Sequence, residues 1–564
     1  MPGSGGVAHR TPFDLRIERP RFARLDGLPL GLALFTAVLL AVWLIVDPRT
    51  PDLAAQVYRV DLFRQLGFTV WDEHWYAGHA LPGYSLLYPP LAALLGLRAL
   101  AALSALASSL LFVALVRPIY GDAARWAAPC FALAALGDVW IGRLTFALGV
   151  PLALGAMLAF VRERRLLAGV LAALCAAASP VAAVLLGLAG LTLTLARRSP
   201  RPLLTLAAPT AAVVLALAVL FPEGGYEPYP FLSFCATALV VLAFLWALPA
   251  DARLLRLGGW VYLGACVVCV AVHSPIGSNV ERYGVLLAGP LLLCARLSDA
   301  RAPSTPVSRG SASGGRRVTF ATALALCAIA VWVAWGPVRE TLAVAGSEAT
   351  SAAYYAPVER FFARVSAPPA SPVRVEVPLT RSHWEAALLA PSVSLARGWE
   401  KQLEERYDGA LLAHGLSAAS YARWLRSQAV AYVALPDAAL DPSSAQEGRL
   451  IRAGLPYLRE VFRSAHWRVF RVLFATPLVS GPGRLTALGH DSFALHASAP
   501  GRLLVRVRFT RYWTLTHGAG CVSQAPGGWT AVSVRAPGDV VIAARFSLAR
   551  AFGGGASCSG GRAS

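Results

Sequence analysis

The chain has 564 residues, of which 56% are hydrophobic and 15% charged, and a formal net charge of +20. So apolar a composition excludes an ordinary soluble protein as the whole molecule and makes lipid the solvent of a large part of it. The basic residues do not form one patch, which argues against nucleic acid. They recur as short clusters between apolar runs, as in a multi-pass membrane protein, and nearly all are arginine, Lys401 being the only lysine.

Residues 1–27 form a basic tail with five arginines. The apolar run at 28–46 is longer than the core of a secretory signal and is followed by DPRTPD, with no small-residue cleavage site. The tail is therefore expected to stay on the chain, on the cytoplasmic side. Further apolar runs follow near 98–116, 125–142, 144–161, 166–178, 180–196, 203–221, 231–249, 258–272, 280–296 and 319–336. A membrane helix needs about 20 apolar residues. The expectation is a bundle of about eleven membrane helices over residues 28–336. The stretch between Arg165 and Arg197 has basic clusters at both ends (RERR and RRSPR) and a Ser179-Pro180 break. Two short helices that return to the same side satisfy both clusters, and proline is the expected residue at such a break.

The positive clusters then set the sidedness. The N-terminus, Arg117, 162–165, 197–201, Arg253, Arg256 and the Gly/Ser/Pro-rich linker at 296–317 fall on the cytoplasmic face. Loops 47–97, 137–143, 222–230 and 273–279 fall outside, together with everything after residue 336. Residues 337–480 mix helical patterns, among them 447–464, with the short strands VRVEVPL, AVAYVALP and WRVFRVLF, which predicts an α+β domain. Residues 481–552 alternate and carry PG, GAG, PGG and PGD turns, which predicts a small β-sandwich. Residues 553–564 are low in complexity and read as disordered.

Seven of the nine cysteines lie in apolar runs and read as small core residues, the CxxC at Cys266 and Cys269 included. Cys521 and Cys558 lie in the tail part and are disulfide candidates if that part is extracytoplasmic. Walker A, dinucleotide-binding and HExxH motifs are all missing, so an ATP-driven pump and a zinc protease lose support.

The outer loop 47–97 is long, aromatic and acidic, and a long loop of that kind is usually functional. Surface helices are expected at 52–66 and about 89–95. Asp52, just beyond the first membrane helix, is placed to act as a general base toward an acceptor hydroxyl; the alternative is a helix N-cap. Asp72, Glu73, His74 and His79 are candidates for substrate contact or for a divalent metal ion, the only cofactor in view; the alternative is a polar loop at head-group level. Arg143 and Arg282 stand at the outer ends of apolar runs and suit phosphate recognition, or simply snorkelling. PEGGYEPYP (222–230) has the acidic and aromatic content of a sugar site or of an interfacial belt. His383, Trp384, Glu385, Arg397, Trp399 and Glu400 crowd one segment, for carbohydrate stacking or for docking onto the bundle.

The layout resembles the GT-C class of polyprenyl-phosphate-sugar-dependent glycosyltransferases, with TPDLAAQVYRVDLF similar to the acidic segment that opens the surface helix there. Leu53 stands where many members have a second acid. GRLTFALGVPLAL and the broken Ser-Pro hairpin also look GT-C-like, and the strands at 501–547 are similar to the terminal β-domain of YfhO-type membrane proteins. WDEHWYAGHALPGYSLLYPPL resembles an actinobacterial membrane family labelled pyruvoyl-tetrahydropterin synthase-related, without that enzyme's zinc triad. The GT-C resemblance implies a multi-pass plasma-membrane enzyme of cell-envelope assembly. It implies a lipid-linked sugar donor held by Arg143 and Arg282, Asp52 as base, and an extracytoplasmic glycan, lipid or protein as acceptor. The competing readings are a transporter or lipid flippase, and a non-catalytic GT-C-like scaffold.

Overall fold

The computed structural model describes residues 27–299, 320–553 and 558. The expectations for the basic tail, for most of the linker and for all but two residues of the terminal segment fall outside these. All eleven apolar runs are helices. α1 (Leu28–Val46) carries no charge and is closed by Asp47, whose left-handed backbone returns its amide to Trp43 O. The outer loop folds into α2 (Pro51–Leu66), a two-stranded ribbon of β1 (Trp71–Asp72) and β2 (His79–Ala80), and α3 (Tyr88–Leu95). Then come α4 (Leu97–Tyr120), α5 (Ala124–Trp140), α6 (Leu144–Val161), α7 (Arg165–Ala178), α8 (Pro180–Arg197), α9 (Ala208–Leu220, entered through a π-turn), α10 (Phe231–Ala247), α11 (Arg253–Ala271), α12 (Glu281–Asp299) and α13 (Phe320–Val344). Among the described residues, seven helical segments are long and apolar enough to cross a membrane, the joined α4–α5 segment counting as one; α7 and α10 are shorter apolar helices.

The α7–α8 break is built as its residues dictate. Ser179 is extended, as a residue before proline prefers, and its hydroxyl accepts the Ala182 amide at 3.3 Å, capping α8. α6 packs so closely on this hinge that a Cβ on Gly149 would lie 2.5 Å from the Ala182 methyl.

The loops sort into two ends. At one end, Arg197 lies over the Phe160 ring and Arg296 Nε donates to Ala247 O at 2.5 Å, which brings the arginine-rich turns together. At the other, a Cβ on Gly142 would strike Leu53, Gly277 sits on Glu227, and the Tyr226 amide bonds Gln402 O. The first loop, the 137–143, 222–230 and 273–279 turns and the C-terminal part therefore meet at that second end.

That part has two bodies. The first is a five-stranded sheet of order β4-β3-β5-β7-β6, made of β3 (Arg374–Glu376), β4 (Ser394–Leu395), β5 (Val430–Pro436), β6 (Leu458–Arg463) and β7 (Trp467–Val472), flanked by helices. The segment 447–464 is only half helical, contrary to expectation. Its helix stops at Ala453, and Leu458, Glu460 and Phe462 alternate with exposed Arg459, Val461 and Arg463 on an edge strand that pairs with β7. The second body is a sandwich of two antiparallel four-stranded sheets. It comprises β8 (Val479–Ser480), β9 (Gly483–Leu488), β10 (Ser492–Ala497), β11 (Gly501–Arg508), β12 (Trp513–His517), β13 (Gly520–Gln524), β14 (Trp529–Val534) and β15 (Gly538–Ala544). Cys521 and Cys558 are joined as a disulfide, and the seven other cysteines are free thiols.

Candidate functional site

A cavity of about 2070 Å³ lies between the bundle and the five-stranded sheet domain. Its polar end is assembled from separate elements. Asp52 comes from the first turn of α2, Asp138 from the end of α5, and Arg143 from the residue before α6. Glu227 comes from the 222–230 loop, Arg282 from the start of α12, and Arg381, His383, Trp399 and Lys401 from the sheet domain.

Backbone geometry sets this meeting. Thr50, not Asp52, occupies the N-cap of α2, so the capping alternative for Asp52 falls away. The α5–α6 turn reaches α2 because Gly142 has φ +85 and no side chain; a Cβ there would lie 2.3 Å from the Leu53 amide nitrogen. The next residue, Arg143, then places Nε 3.6 Å from Asp52 Oδ2 and a terminal nitrogen 3.7 Å from Asp138 Oδ1. Gly277, at φ +40, lets the turn before α12 close on Glu227, where a Cβ would overlap the carbonyl oxygen at 1.9 Å. Arg282 bonds Asn279 and lies over the Phe146 ring at 5.3 Å. The Nε atoms of Arg143 and Arg282 are both buried and make no hydrogen bond among the described residues. Two partly exposed guanidiniums with buried, unused Nε donors, beside the carboxylates of Asp52 and Asp138, suit an anionic group with a nucleophile or sugar next to it.

Glu227 is a third acid at this polar end. Its carboxylate accepts from Ser278 Oγ at 3.0 Å. Burial pushes its pKa up to about 7, against the Ser278 hydrogen bond and the charge of Arg282. Glu281, by contrast, is held by Ser233 and Thr237 on α10, and Glu223 by the Tyr407 hydroxyl and the Ala80 amide.

Below the polar end the walls become apolar, with Val181 and Val184 of α8, Val214 and Leu217 of α9, and Trp332 of α13. Leu232 of α10 and Trp335 of α13 line the same cavity and are 82% and 60% exposed on the bundle's surface, so its lining is continuous with that surface.

Asp72, Glu73, His74 and His79 do not line this cavity. All four are buried where the first loop meets the C-terminal bodies. Asp72 accepts from Tyr58 at 2.8 Å and pairs with His490 at 2.9 Å. Burial works against its ionisation, but the His490 hydrogen bond and the neighbouring histidines outweigh that and hold its pKa near 2. Glu73 pairs with Arg374 at 2.5 Å and takes the Ser394 hydroxyl at 3.3 Å; burial nevertheless pushes it up to about 7. His74 Nδ1 bonds Ala390 O at 2.6 Å, and burial lowers its pKa to about 4. His79 Nδ1 bonds Asp72 O at 3.1 Å. Both the metal reading and the head-group reading of this segment give way to an interdomain joint. Among the described residues no group of three or more His, Cys, Asp or Glu side chains is arranged to hold a metal ion.

The aromatic segment of the sheet domain divides. Trp384 docks, its indole donating to Arg49 O at 3.0 Å. Arg397 is buried among Glu376, Glu404 and Glu447, and Glu385 holds Thr380. His383 and Trp399, stacked at 3.4 Å between centroids, line the cavity, as does Glu400. Reading the sequence missed Asp138, Gly142 and Lys401. Asp138 had a signal, a lone carboxylate in an apolar run five positions before Arg143. The two others become meaningful only through their contacts.

Fold and cavity together define a polytopic helical membrane protein with a two-body C-terminal part packed on one end. No known family and no curated protein matches the chain. A solved structure of the arabinofuranosyltransferase AftD from mycobacteria is similar at 16% identity and a TM-score of 0.43, over 85% of this chain and 43% of that one. The chain thus spans less than half the length of that protein.

Proposed function

We propose that the protein is a GT-C-type membrane glycosyltransferase that moves a sugar from a polyprenyl-phosphate donor to an extracytoplasmic acceptor. The observation that carries this reading is the composite cavity. One end offers Asp52 together with Arg143 and Arg282, and the walls continue as apolar helix surface to the exposed Leu232 and Trp335. In this reading eleven helices cross the plasma membrane and the cavity end faces outward, opposite the arginine-rich turns. A polyprenyl chain enters between α10 and α13, and its phosphate takes the free donors of Arg143 and Arg282. Asp52 removes the proton of the acceptor hydroxyl as that oxygen attacks the anomeric carbon, and the lipid phosphate leaves with the bonding electrons, neutralised by the two arginines. The chemistry needs no nucleotide pocket.

The test is transfer of a radiolabelled sugar from a panel of polyprenyl-phosphate sugars in membranes holding the full chain. Asp52→Asn should lower transfer about 10²–10⁴-fold, the usual contribution of a general base, at unchanged protein level and donor KM. Wild-type-like transfer by that variant removes Asp52 as base. Transport of an intact lipid-linked sugar without transfer supports the flippase reading instead.

A further inference from the structure

The edge of the β-sandwich beside the bundle carries large apolar side chains that nothing among the described residues covers. Phe546, Leu548 and Phe552 are 45%, 63% and 73% exposed. Their position relative to the membrane follows from α9. The Phe546 ring lies 5.8 Å from Phe221, the residue that ends α9, and the Tyr512 hydroxyl donates to Leu220 O at 2.6 Å. α9 belongs to a segment apolar enough to span, and its Leu215 and Val219 are themselves 63% and 53% exposed. The apolar edge is thus continuous with the outward face of a membrane helix, at the level where that helix ends.

Three arginines flank the edge. Arg511 and Arg545 are exposed and Arg550 is half-buried. Arg511 donates to Ala551 O and Arg550 to Trp513 O at 2.6 Å, so both are tethered to the segment by backbone contacts. Among the described residues none of the three pairs with a carboxylate. Residues 545–552 follow β15 and include a one-turn helix, Leu548–Ala551, and Cys558 beyond them is joined to Cys521 of β13. Apolar side chains flanked by unpaired arginines at a helix end suit the acyl boundary and its anionic head groups.

We propose that residues 545–552 rest in the adjacent leaflet, with Phe546, Leu548 and Phe552 among the acyl chains and Arg511, Arg545 and Arg550 on anionic lipid head groups. The surface fixes the height of the sandwich, and through it the rest of the C-terminal part, over the bilayer. It rests on the bundle crossing a membrane and is independent of glycosyl transfer. A second protein copy is a weaker occupant, because the patch runs on into helix surface that lipid already covers and offers no carboxylate to meet three arginines.

The experiment places a fluorescent amino acid at Leu548, and separately at Phe552, in the full chain reconstituted into phosphatidylcholine nanodiscs with and without phosphatidylglycerol. Quenching by shallow doxyl-labelled lipid together with at least several-fold protection from aqueous iodide is expected at both sites. Phosphatidylglycerol should strengthen both effects, and Arg511→Glu/Arg545→Glu should abolish that lipid dependence. Free access of iodide without doxyl quenching overturns the proposal. Protection from iodide without doxyl quenching also overturns it, since protein then covers the surface.

Discussion

Gly142 is the residue on which the geometry of the polar end turns most directly. Its φ of +85 and the 2.3 Å approach to the Leu53 amide leave no room for a methyl group. Gly142→Ala should therefore move Arg143 away from Asp52 and cost about 1–3 kcal/mol in stability. A lowered Tm in detergent together with reduced transfer would show the coupling; an unchanged Tm would mean the turn relaxes freely. Glu227 supplies a pH prediction. With its pKa raised from 4.5 to about 7 by burial, it retains its proton in the folded state where the unfolded chain has lost it. Its stabilising effect is complete below about 4.5 and is lost as pH rises through about 7. Ionisation also adds a negative charge next to the site proposed for the donor phosphate. The donor KM should climb as pH passes 7, and Glu227→Gln should flatten that climb. A KM profile of the variant identical to wild type would remove Glu227 from the donor site.

At the scale of elements, the α7–α8 hinge shows how a short break positions long helices. Ser179 holds α8 through one hydroxyl and, with Pro180, lines the cavity, so the hinge is also part of its wall. Ser179→Ala removes the cap and should cost about 1 kcal/mol, read as a lower Tm with no change in transfer. A large activity loss at full stability would instead assign the hydroxyl to substrate. α2 is the other such element. Its residues point two ways, Asp52 into the cavity and Tyr58 into the buried joint with Asp72, so one helix couples the candidate catalytic carboxylate to the C-terminal bodies.

At the scale of the whole molecule, the Glu73–Arg374 pair ties the first loop to the five-stranded sheet. Both side chains are buried, so removing one leaves an uncompensated charge, a loss of about 3–5 kcal/mol. Arg374→Met should lower the unfolding temperature of the C-terminal part accordingly. The loss should deepen at higher pH, because without the arginine the pKa of Glu73 rises above its present value near 7, and a raised acid loses its contribution as pH climbs through it. Glu73→Gln/Arg374→Met should recover part of the loss; single-variant losses that simply add in the double variant would show that the pair is not coupled.

Membrane character, the eleven apolar helices, the Ser-Pro hairpin and the sorting of loops between two ends were legible in the chain alone. They rest on local signals: runs of apolar residues, clusters of arginine and one proline. Within the site, Asp52, Arg143, Arg282 and Glu227 could be singled out, because charge at the end of an apolar run stands out by itself. The sequence could not separate these from Asp72, Glu73, His74 and His79, which belong to an equally acidic loop yet point into a buried joint. That separation depends on which side chains meet across hundreds of residues, Asp72 with His490 and Glu73 with Arg374. Hydropathy and spacing carry no record of such pairings. The sequence by itself determined the solvent of each segment, whereas only the tertiary structure decided which charges share a cavity, since burial and partners are properties of packing and not of local composition.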